Sequence, residues 1–151
     1  MIVGPGSFRV LLLIALSACG GQTTSTVRDG TGGLADPTDT VPPVFSFSPI
    51  EGTQPFGEDV TVSAEVSDAD SGLFVVQLWY KNETDGNETY EARAMTSAGQ
   101  DSPVWSGVIP GSAHRSGGMD YYLEAVDQSQ NAATEPPDGP ADPYHIRLSA
   151  L

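Results

Sequence analysis

The chain of 151 residues contains one cysteine, Cys19, and one lysine, Lys81. A lone cysteine excludes an intrachain disulfide, so any folded domain must be held by its core alone. Lysine and arginine together number 6 against 20 aspartates and glutamates, giving a formal net charge of −14. Nucleic acids and anionic headgroups are gripped by clustered basic side chains, and this composition leaves almost nothing to cluster. The 2 histidines, His114 and His145, are far apart and lack cysteine partners, which is not a zinc pattern. Neither a Gly-x-Ser-x-Gly elbow nor a P-loop nor a dinucleotide-binding glycine pattern is found. The sequence therefore points away from an enzyme. No stretch sustains a helical period, and no apolar run approaches the roughly 20 residues of a membrane-spanning helix.

What is there begins with an address. Arg9 precedes the apolar run Val10-Leu11-Leu12-Leu13-Ile14-Ala15-Leu16, and small residues follow, the pattern of a secretory signal. Leu16-Ser17-Ala18-Cys19 resembles the lipobox of bacterial lipoprotein precursors: a branched apolar residue, two small ones, then cysteine. The resemblance covers about the first twenty residues. It implies that residues 1–18 are a cleaved signal peptide and that Cys19 carries diacylglycerol and acyl groups, which anchor the chain in a lipid bilayer. Several acyl chains hold firmly where one binds reversibly, since each buried CH₂ contributes about 0.8 kcal/mol. Gly20 after the cysteine, by the same resemblance, favours the outer over the inner membrane, with the chain facing the periplasm or the cell surface. Removing residues 1–18 takes away Arg9 and no acidic residue, so the mature chain carries 5 basic and 20 acidic residues, a net −15.

Residues 19–41 read as the lipidated cysteine and a flexible linker rich in Gly, Thr, Ser, Asp and Pro, too poor in large apolar groups to offset the entropy of ordering. About twenty such residues span on the order of 25 Å root-mean-square. From Pro42 the pattern becomes short alternating runs between turn residues. Strands are predicted around Phe45 and Phe47, over Val60–Ser67, Leu73–Lys81, Tyr90–Thr96, Val104–Ile109, Met119–Asp127 and Tyr144–Leu148. Seven such runs predict an all-β, seven-stranded antiparallel β-sandwich over residues 42–151. Asp68-Ala69-Asp70-Ser71-Gly72-Leu73, Trp105 to Gly111 and Tyr121 to Asp127 resemble a fibronectin type III or bacterial immunoglobulin-like domain. Aligned on Ala125, that resemblance puts Met119 where the family often has a tyrosine. Asn82 to Glu88 reads as a hairpin loop with Asp85-Gly86 at its tip.

Alternation assigns Val60, Val62, Ala64, Val66, Val76, Leu78, Tyr80, Trp105, Ile109, Tyr121, Leu123, Ala125, Ile146 and Leu148 to the core. The opposite face then carries Gln77, Trp79, Tyr122, Glu124, His145 and Arg147. Trp79 and Tyr122 could form an aromatic patch for a glycan or protein partner, or merely stiffen the sheet, which the residue types favour. In an immunoglobulin-type sandwich the second and sixth strands end in loops at one end of the molecule. Asp68 and Asp70 fall in the first loop, Asp127, Ser129 and Asn131 in the second, and Asp36 and Asp39 arrive with the linker. These are oxygen donors of the kind calcium takes, but also the residues tight turns use for local hydrogen bonds, and turn chemistry is the reading composition favours. The expectation is a membrane-anchored lipoprotein with a non-catalytic binding, adhesion or structural role at the bacterial envelope. It needs no cofactor beyond the acyl groups and its partner is an envelope protein or glycan. The alternatives are a calcium- or carbohydrate-dependent ligand-binding module and an accessory subunit of an envelope enzyme.

Overall fold

The computed structural model describes residues 38–83 and 89–149. The signal segment, Cys19, Asp36 and the hairpin tip Asp85-Gly86 lie outside the described residues. The strands are β1 (Val44–Ser46), β2 (Thr53–Gln54), β3 (Val60–Ser67), β4 (Leu73–Asn82), β5 (Glu91–Ala94), β6 (Thr96–Ser97), β7 (Val104–Ile109), β8 (Gly118–Asp127), β9 (Ala132–Glu135) and β10 (Tyr144–Leu148). They form two sheets, one ordered β1-β3-β7-β6 and the other β2-β10-β8-β4-β5 with β9 also on β8. The protein is an all-β sandwich. Six of the seven expected strands each have one counterpart, and the Tyr90–Thr96 run is divided between β5 and β6 in different sheets. β2 and β9 are short additions, β2 pairing parallel to β10 where an antiparallel sandwich was expected.

Strand β3 shows why this sequence makes a sandwich. Val60, Val62, Ala64 and Val66 alternate with Thr61, Ser63, Glu65 and Ser67, and every residue of the first set is buried while every one of the second is exposed. The facing sheet supplies Val76, Leu78 and Tyr80 from β4, Met119, Tyr121, Leu123 and Ala125 from β8, and Ile146 from β10. Trp105 and Leu148, both expected inside, pack against this core only partly buried. Met95 joins it at 5 % exposure, where the chain crosses from β5 in one sheet to β6 in the other. Opposite Met95, a Cβ on Gly107 would stand 3.1 Å from both Leu78 Cδ2 and Met95 Cγ. The missing side chain of β7 is the space those two residues fill.

Strand β8 hydrogen-bonds on both edges. β4 runs along one edge, while β10 covers the first half of the other and β9 the second half. Between β9 and β10 the chain leaves the sheet, and the Tyr144 hydroxyl donates to Glu135 across the base of that excursion. Burial, followed by the Glu135 carboxylate, pushes the Tyr144 hydroxyl up to about 12. Near the start of β8, the Tyr121 hydroxyl accepts a 3.1 Å hydrogen bond from the Ile50 amide, which ties the segment after β1 to the second sheet.

At the end of the sandwich where β3 begins, His114 is buried at 3 % exposure. Its Nδ1 accepts from the Gly57 amide at 3.1 Å, while Nε2 is buried without a hydrogen-bond partner. Burial holds its pKa below the usual histidine value, although the Asp59 carboxylate pulls the other way. A histidine with a depressed folded pKa contributes stability above its unfolded pKa, about 6.5, and loses it as pH falls from there through the folded value.

Two predictions concern this framework. Leu78→Ala empties the centre of the core and should lower the unfolding free energy by about 2–5 kcal/mol with an unchanged denaturant slope. The melting temperature should decline between pH 7 and pH 5 more steeply in the parent than in His114→Asn, whose amide oxygen can still accept from Gly57. Identical slopes would show that His114 carries none of the acid sensitivity.

Candidate metal centre

The register brings three chain segments to one end of the sandwich. Val44 pairs with Ser67 at the end of β3, and Leu73 pairs with Asp127 at the end of β8. The segment before β1, the β3–β4 turn and the β8–β9 turn therefore meet there. The Gln128 amide donates to the Gly72 carbonyl at 2.9 Å and binds the two turns together.

Asp68 closes the first turn on itself. Its Oδ1 accepts from the amides of Ser71 at 2.8 Å and Gly72 at 2.6 Å, and Gly72 takes the positive φ of +77° that lets the chain reverse. The other oxygen, Oδ2, is buried and has no hydrogen-bond partner. Asp127 ends β8 at 0 % exposure. Its Oδ1 accepts from the Asn131 amide at 2.8 Å and its Oδ2 from Asn131 Nδ2 at 2.7 Å. Burial pushes the Asp127 pKa up, but the Asn131 side chain and amide, the Ser129 amide and the Ser71 side chain outweigh it and hold the group below its ordinary value. The hydrogen bonds thus favour the charged form of Asp127. The third member, Asp39, comes from the segment before β1. Its Oδ1 accepts from the Val41 amide at 2.8 Å, its carbonyl accepts from Asn131 Nδ2 at 3.3 Å, and its Oδ2 is again buried without a partner.

One carboxylate oxygen from each of Asp39, Asp68 and Asp127 can be chosen so that all three lie within 4.8 Å of one another. No protein-family model matches this chain, and no curated protein matches it. The chemistry of the centre is therefore read from its geometry. Charges withdrawn from water must be paired or neutralised, and like charges at such spacing repel. No lysine, arginine or histidine is among the described hydrogen-bond partners of the three carboxylates; the Lys81–Asp120 ion pair and the His145–Asp120 contact lie at the other end of β8. All-oxygen donors on turns suit calcium, which takes about six to eight oxygens at about 2.3–2.6 Å, so that opposed ligands stand about 4.6–5.2 Å apart. Three carboxylates would supply part of such a shell.

Of the residues expected at this site, Asp68 and Asp127 come together. Asp70 is exposed and outside the trio. Asn131 uses its amide nitrogen on Asp127 and on the Asp39 carbonyl, which makes it a positioning residue.

The sheet face opposite the core differs from an open patch. Trp79 and Tyr122 pair across β4 and β8 and stack with rings 1° from parallel and centroids 5.9 Å apart. Tyr122, however, is buried at 8 % exposure, with Tyr90 edge-on to it at 5.0 Å. Trp79 covers one side and Tyr90 another, so the exposed aromatic pair expected here reduces to a half-buried Trp79. Its indole donates to Glu124 at 2.9 Å, and Gln77 and Glu124 beside it are half-buried. His145 and Arg147 are exposed, and His145 lies 3.0 Å from Asp120 and 3.6 Å from Glu83.

In chelator, replacing Asp39 by asparagine removes one of three crowded charges while keeping the acceptor for Val41. The melting temperature of Asp39→Asn without metal should equal or exceed that of the parent. A clear loss of stability in chelator would mean that the carboxylates do not repel one another there.

Proposed function

We propose that this protein is an exported lipoprotein, anchored through acylated Cys19, whose β-sandwich is a non-catalytic binding or structural module of the bacterial envelope with a calcium centre at its anchor-side end. The observation that carries the metal reading is the pair of buried, unbonded oxygens on Asp39 and Asp68, grouped with the buried Asp127, whose own oxygens accept from Asn131. Turn chemistry explains only one oxygen of Asp39 and one of Asp68. A cation accounts for the other two.

The lipobox-like Leu16-Ser17-Ala18-Cys19 supports the anchor. No helix among the described residues is long and apolar enough to cross a membrane. An outer-membrane address, facing the periplasm or the surface, and an envelope protein or glycan as partner belong to the same reading. Sugar stacking on the sheet face has less support, because Tyr122 is covered.

Calcium that binds only the native state stabilises it by about 2.7 kcal/mol at a hundredfold excess over Kd. Millimolar calcium should accordingly raise the melting temperature by several degrees over chelator, and no shift would overturn the centre. Radiolabelled palmitate should enter the parent chain and not Cys19→Ser; label persisting in Cys19→Ser would overturn the anchor.

A further inference from the structure

We propose that the cation acts as a clasp: calcium at Asp39, Asp68 and Asp127 fastens the segment before β1 to the sandwich, and loss of calcium frees it. This rests on the calcium reading above and adds what the ion does.

The three ligands are not held alike. Asp68 is fixed by the main chain of its own turn, and Asp127 by its place at the end of a ten-residue strand and by Asn131. Those two turns are already joined to each other through Gln128 and Gly72. Asp39 lies outside both sheets, five positions before β1, itself only three residues long. It touches the domain through the Asn131 amide on its carbonyl, at 3.3 Å. Its Oδ2 is nonetheless buried without a hydrogen-bond partner, and one of its carboxylate oxygens lies within 4.8 Å of one from each of the other two aspartates.

The sign of the force on Asp39 therefore depends on the ion. Without a cation, three like charges are crowded together and Asp39 is the one whose backbone can withdraw. With a cation, the same three charges attract a common centre and Asp39 is drawn in. The chain between Cys19 and Asp39 is the only covalent route from the anchor to the sandwich, so the clasp decides whether that route ends in a loose or a fixed joint.

Hydrogen exchange on the full mature chain in detergent micelles, with calcium or with chelator, tests this when read together with thermal melting. The informative amides are Thr40 and Val41, the latter hydrogen-bonded to Asp39 Oδ1. Calcium should slow their exchange at least about tenfold, as expected for a segment whose local opening is suppressed. Asp39→Asn should lose that protection, while Asp70→Asn, outside the trio, should keep it. Melting that rises with calcium while exchange at Thr40 and Val41 stays unchanged would overturn the clasp and leave the centre standing. Calcium that alters neither would overturn the centre and the clasp with it. Protection that survives in Asp39→Asn would also overturn the clasp, because the ion would then act without that ligand.

Discussion

Strand parity is the constraint on which this protein's unusual end depends. Side chains two apart on a strand share a face, and β8 places Met119, Tyr121, Leu123 and Ala125 inside at 0 % exposure. Asp127 is next in that series and is carried to the same face, also at 0 % exposure. Shifting β8 by one residue would free the carboxylate but turn the whole apolar set outward. A charge is thus buried because the core demands its strand's register. The hydrogen bonds from Asn131, Ser129 and Ser71 are the local answer to that burial. β3 repeats the logic, since Asp68 follows the buried Val60, Val62, Ala64 and Val66 at the same two-residue interval. The two central strands of facing sheets both run out into aspartate on the inward side.

Much of the frame could be read from the sequence because alternation reports burial directly. Val60–Ser67 is the clearest case, and long apolar runs marked β4 and β8. The parts that could not be read have no burial pattern of their own. β9 is Ala132-Ala133-Thr134-Glu135, short and without a large side chain, and is a strand because the edge of β8 lies beside it. Met95 is a solitary apolar residue between exposed neighbours, and only the crossing from one sheet to the other turns it inward. Tyr122 was expected on an open face, but whether a sheet face is open depends on what lies over it, and Tyr90 comes from a distant part of the chain.

The site divides in the same way. Asp68 and Asp127 are legible both as loop residues and as the next inward position of two alternating strands. Asp70 looked equivalent to Asp68 by composition, yet the turn exposes it, which parity alone does not reveal because the chain has left the strand. Asp39 belongs to no periodic pattern. Its membership follows from where β1 pairs with β3, a long-range fact, and from an Asn131 amide that reaches Asp127 and the Asp39 carbonyl together.

Net charge and the missing disulfide bear on the same end of the molecule. Without a cross-link, the sandwich depends on its core, and crowding three carboxylates at one edge works against it whenever no cation is bound. On the proposed reading, that cost is confined to compartments poor in calcium. Modules outside the cytosol bind calcium at about 10⁻⁴–10⁻³ M, with affinity tuned by ligand charge count and rigidity. A centre in which one of three carboxylates comes from a segment outside both sheets would have the partial rigidity of that weak class. On the proposed reading, the affinity such geometry permits would suit a chain that meets calcium only after export, and the joint between the proposed anchor and the domain would become fixed there and not before.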